Sequence, residues 1–110
     1  MKLLAIRDKN GVTIPVVPMS DYIDCKVLAS DTHESIAVPS GMAAVCVTPS
    51  ADVYLKRVNT SFAVPTADVQ DGTAPLFIPA GASRLVQLGS IANIGMVSSD
   101  ACKVTLEWFE

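Results

Sequence analysis

The chain has 110 residues, of which half are hydrophobic and only 17% charged, with a formal net charge of −3. A chain of this length makes one domain, spanning 1–110, with a core that needs no staples. Its scattered Lys and Arg and few aromatics leave no phosphate track or base-stacking platform, which excludes a nucleic-acid partner.

Two further exclusions concern compartment and redox state. Residues 3–6 are too short an apolar stretch for a secretory signal, and no run approaches the roughly 18 apolar residues of a membrane span. The expectation is a protein kept in the cytoplasm of its producing cell, with no membrane partner. Cys25, Cys46 and Cys102 are an odd count and read as free thiols; the Asn59-Thr60-Ser61 sequon then carries no weight. So much apolar side chain on a small domain implies that part of the exterior faces another protein.

Period-2 runs dominate from the start. Residues 3–7 read as a first strand, Asp8-Lys9-Asn10-Gly11 as a hairpin turn, and 12–17 as a return strand that Pro15 marks as edge or bulged. Residues 19–37 admit a short helix capped by Ser20-Asp21, with Ile23, Val27 and Leu28 on one face. A strand over 25–29 is the preferred reading. Residues 35–38 close at Val38-Pro39-Ser40-Gly41, and the same punctuation recurs at Ile78-Pro79-Ala80-Gly81. Pro is expected at the first central position of each turn, with Gly folding the chain back.

Residues 42–48 form a continuous apolar run, read as a strand buried on both faces, with Cys46 as a small core hydrophobe. In 52–58, Val53 and Leu55 share one face, and Asp52, Tyr54 and Lys56 the other. Residues 59–75 are loop, expected to cross between sheets as in a Greek key. Strands follow at 76–78, 84–88, 93–98 and 102–109, where Val104, Leu106 and Trp108 alternate with Lys103, Thr105 and Glu107. Eight to ten short strands with regular turn signals predict an all-β, jelly-roll-like antiparallel sandwich.

Chemistry is sparse. His33, the single histidine, lies in the polar stretch 30–34; beside Asp31 or Glu34 it would be a general base, but a solvated loop histidine is favoured. One histidine and three separated cysteines do not make a transition-metal centre or a Cys–His nucleophile pair. The eleven Asp and Glu show no spacing that marks an acid/base pair. Asp68-Val69-Gln70-Asp71-Gly72-Thr73 is the best hard-cation loop, although it lacks the distal Glu of an EF-hand and an ordinary Asp-Gly turn is favoured. The glycines are dispersed and form no phosphate cradle. No catalytic, cofactor-binding or metal-ligating residue is therefore assigned, and no enzyme is expected.

The succession of residues 50–55, Phe62-Ala63-Val64-Pro65, residues 68–73, Ile78-Pro79-Ala80-Gly81 and the closing strand 104–109 resembles small structural proteins of tailed bacteriophages. It is most similar to their capsid decoration, or cement, proteins, over roughly 36–110. The resemblance implies a jelly-roll-like domain on the outer surface of the virion, reinforcing contacts between major capsid protein subunits. A homo-oligomer, dimer or trimer, is expected, and an edge formed by 2–7 or 12–17 is expected to pair with another chain. The alternative is a tail or baseplate component, or a receptor- or carbohydrate-binding sandwich module.

Overall fold

A computed structural model describes residues 4–7, 13–16 and 19–110. These residues form ten strands and no helix: β1 (Leu4–Arg7), β2 (Thr13–Val16), β3 (Ile23–Leu28), β4 (Glu34–Ala37), β5 (Ala44–Pro49), β6 (Val53–Lys56), β7 (Leu76–Ile78), β8 (Arg84–Gln87), β9 (Asn93–Val97) and β10 (Cys102–Phe109). The bounds of β7 and β10 are those read from the sequence. The region beginning at 23 is a strand, so the helical alternative is overturned: Ile23 to Leu28 pair along β10. The Asn10-Gly11 turn lies outside the described residues. The strands that flank it pair antiparallel, Arg7 opposite Thr13, with Pro15 opposite Ala5.

Two four-stranded antiparallel sheets pack as a sandwich. Sheet I runs β3-β10-β5-β8 and sheet II runs β4-β9-β6-β7; the β1–β2 ribbon joins neither. From β3 onward, successive strands alternate between sheets except for β6 and β7, which are hydrogen-bonded neighbours. The order is that of one long hairpin, β3 to β6 against β10 to β7, rolled up on itself. Residues 59–75 therefore do not cross between sheets. They leave sheet II and return to it, because Val53 to Leu55 take Ile78 to Leu76 as partners.

Both Pro-x-Gly turns are sandwich corners, β4 to β5 and β7 to β8. Their geometry differs from the sequence expectation by one position. The closing bonds are Met42 N–H to the Pro39 carbonyl and Ala82 N–H to the Pro79 carbonyl. Pro thus opens each turn, and Gly41 and Gly81 occupy the second central position, at φ 84° and 76°. That region is open to glycine because it lacks the Cβ that would meet the backbone. The second corner is also tied to the β5–β6 turn. Gly81 N–H donates to the Pro49 carbonyl at 2.9 Å, and Ala80 N–H to Asp52 Oδ1 at 2.8 Å.

The core follows from alternation. Val45 and Val47, Val53, Met96, and Val104, Leu106 and Trp108 are all fully buried between the sheets. Aliphatic and indole surface removed from water in this way stabilises by about 25 cal/mol per Å². Strand β5 is enclosed less completely than its apolar run suggested. Its inward row is buried, whereas Cys46 and Thr48 on the outward row stay partly exposed.

Candidate functional site

The outward face of sheet I is the most unusual surface. On β10, Val104, Leu106 and Trp108 face the core. Their partners Lys26 and Asp24 must then share the inward row of β3, since directly opposed residues project to the same side. Leu28, in the same row, is buried. The outward row is Ile23, Cys25 and Val27, and all three are exposed, Val27 at 65%. A solvated edge strand normally shows the reverse polarity.

Two specific bonds hold the inward charges. Trp108 Nε1 donates to Asp24 Oδ2 at 2.8 Å. Lys26 Nζ lies 3.6 Å from Glu34 on β4, bridging the two sheets at their shared edge. Leu28 and the indole require their row inside, and these partners make its two charges tolerable there. Register therefore places the apolar residues in water.

Other exposed apolar side chains do not continue this row: Met19 lies ahead of β3, Tyr22 falls in the register of Asp24 and Lys26, and Leu85, in the outward layer of Cys46, is on β8 at the far edge of the sheet. The backbone leading into β3 is well anchored. Ser20 is buried, its hydroxyl donating to the Trp108 carbonyl at 2.6 Å, and Trp108 N–H donates to the Tyr22 carbonyl. The apolar row of β3 is thus firmly held and lies along one edge of the face, beside the polar row Lys103, Thr105 and Glu107 of β10. It has the chemistry to bury against another surface, with the free Cys25 thiol exposed in the middle of the β3 row.

The cysteines are free and sit at three depths. Cys102 is buried. Cys46 is on the outward layer, a correction to its reading as a core residue; burial, then the Glu107 carboxylate, push its thiol up from the ordinary range. Cys25 is exposed within the apolar row.

His33 is not a solvated loop side chain. Its ring meets Phe62 edge-on, centroids 5.2 Å apart, and its Nε2 is buried with no hydrogen-bond partner. Gly95 of β9 creates the seat. A Cβ there would lie 2.6 Å from the Val58 carbonyl oxygen, 2.8 Å from His33 Nε2 and 3.0 Å from Phe62. Glycine inside a strand is the sequence signal for such a close approach. Lys56 Nζ stands 5.6 Å from the centroid of the Phe62 ring. The seat anchors the start of the 57–75 loop to the outside of sheet II.

In the proposed cation loop, Asp71 Oδ1 accepts the Thr73 hydroxyl at 2.6 Å and its N–H at 3.2 Å, the geometry of an Asx turn. Those bonds hold the Asp71 carboxyl below its usual range. No group of three or more metal-ligating side chains converges among the described residues. Trp108 is fully buried, as its alternation predicted, but besides Tyr22 a pair of rings on sheet II reaches the surface. Phe77 is 43% exposed and lies against Tyr54, centroids 5.2 Å apart, on the outward face of sheet II.

Searches against protein families, curated proteins and solved structures return no match to this chain.

Proposed function

We propose that the chain is a structural binding module that docks by the outward face of sheet I onto an assembled protein shell, as a capsid decoration protein of a tailed bacteriophage. The observation that carries the reading is the reversed polarity of β3, with Ile23, Cys25 and Val27 in water while Asp24 and Lys26 face inward. An apolar row on an unpaired sheet edge offers both side-chain surface and free main-chain groups to a partner. The partner is the major capsid protein, as the resemblance of 36–110 implies. The rolled hairpin supports reading the sandwich as a jelly roll. A dimer or trimer would set several such faces on the shell at once, so that modest individual affinities multiply.

The β1–β2 ribbon, which belongs to neither sheet, is a second contact element, because an isolated two-stranded ribbon is marginal in water. The test is co-sedimentation with purified capsid shells of tailed bacteriophages, together with the shell's disruption temperature. The wild-type chain should sediment with the shells and raise that temperature. Ile23→Lys/Val27→Lys should fold normally and do neither. No shift with the wild-type chain, or full binding by the double variant, would sink the proposal.

The Tyr54–Phe77 pair favours the alternative of a carbohydrate-binding module, since an exposed ring is what a sugar face stacks on. A glycan screen in which Phe77→Ala abolishes binding would establish that reading instead.

A further inference from the structure

A second site lies between the sheets. A pocket of about 440 Å³ opens at the end of the sandwich where the 57–75 loop leaves and rejoins sheet II. Its walls are apolar: Val45 and Val47 from β5, Leu55 from β6, Val86 from β8 and Ile94 from β9, with Ile91 from the β8–β9 turn. The volume falls in the range of small-molecule sites, roughly 300–1,000 Å³. Water in such a pocket would find few partners, because the Thr73 hydroxyl at its rim is already bonded to Asp71.

The rim is cationic. Lys56 and Arg57, the one adjacent pair of basic residues in the chain, both border the pocket. Neither forms an ion pair with a described residue; the one bridge among those residues joins Lys26 to Glu34. Lys56 Nζ is turned toward the Phe62 ring on the outside of sheet II, which leaves Arg57 as the second cation of the rim. An apolar chamber with a basic rim is complementary to one kind of molecule, an aliphatic chain ending in an anion. The geometry points to a binding site for a medium-chain anionic amphiphile, its chain between the sheets and its carboxylate at the basic rim, on Arg57. At about 30 Å³ per methylene, close to the share of one water, the space holds up to roughly fifteen carbons, so a twelve-carbon chain fits with room to spare. The site is separate from the face of sheet I and does not depend on shell binding.

The experiment titrates the full chain with dodecanoate, below its micelle concentration, by methyl NMR and calorimetry. One molecule should bind saturably, shift the methyl signals of Val45, Val47, Val86 and Ile94, and raise the unfolding temperature. Dodecanol and dodecyltrimethylammonium should bind at least fivefold more weakly. Lys56→Ala/Arg57→Ala should lose at least fivefold for dodecanoate alone. Val86→Phe should fill the chamber and abolish binding, with Val86→Met as the milder variant if the first does not fold. No saturable binding would overturn the assignment. So would equal affinity for the alcohol or the cation, undiminished binding by the rim variant, or shifts confined to Ile23, Val27 and Leu85.

Discussion

Gly95→Ala tests how the 57–75 loop is held, and its effect follows from two opposed terms. Removing a glycine from a strand interior gains about 0.5–1 kcal/mol by restricting the unfolded chain. Against that, the new Cβ would stand 2.6 Å from the Val58 carbonyl oxygen and 2.8 Å from His33 Nε2. Non-bonded heavy atoms settle near 3.5 Å, so Val58 must retreat by about 0.9 Å. His33 can swing away, but Val58 meets the Cβ through its backbone and must take the loop with it. Overpacking of this kind costs about 1–3 kcal/mol. The net expectation is destabilisation by about 1–2 kcal/mol, or a midpoint lowered by about 5–10 °C in a domain of this size.

Thermal and urea unfolding followed by circular dichroism would measure it. Gly81→Ala is the control, since nothing lies within 4 Å of its Cβ position and any cost there is backbone strain at φ 76°. That cost should be about 1–2 kcal/mol, smaller with Asn. His33→Ala in the Gly95→Ala background should recover only part of the loss, because Val58 remains in the way. A Gly95→Ala protein as stable as the parent, or more so, would refute the seat.

Two further outcomes are expected. Trp108→Phe removes a buried donor and leaves a void, costing about 2–3 kcal/mol by urea unfolding; Asp24→Asn, which keeps an acceptor for the indole, should cost less. Iodoacetamide at pH 8 should label Cys25 first, Cys46 slowly and Cys102 only on unfolding. Because the folded protein holds the Cys46 thiol above its ordinary range, its labelling should rise with pH later than that of a free thiol. Whatever Cys46 contributes is present below the unfolded value and lost as pH rises past it. Glu107→Gln should move the Cys46 curve toward lower pH; an unchanged curve would remove Glu107 as a cause.

Local chemistry made much of the architecture legible in the chain. Gly41 and Gly81 announce corners because a positive φ suits few other residues, and Leu76–Ile78 and Cys102–Phe109 show their bounds through punctuation and alternation. Asn10-Gly11 marks a hairpin whose strands do pair. The single histidine, the three separated cysteines and the dispersed glycines likewise form no local catalytic motif. These features act over a few residues, so the chain carries them without reference to distant partners.

What the chain could not carry was the choice between equivalent faces and paths. Ile23-Asp24-Cys25-Lys26-Val27 alternates, and alternation specifies two rows but not which row is inside. Leu28, the Trp108 indole on Asp24 and the Glu34 carboxylate beside Lys26 decide it, from positions far along the chain. The same holds for 59–75, whose return to sheet II depends on the pairing of β6 with β7, and for Gly95, an unremarkable strand glycine until Phe62 and Val58 close on it. The apolar face and the pocket between the sheets are consequences of those long-range contacts. Side-chain period and turn conformation are properties of neighbouring residues, whereas the face a strand buries is set by the partners it meets.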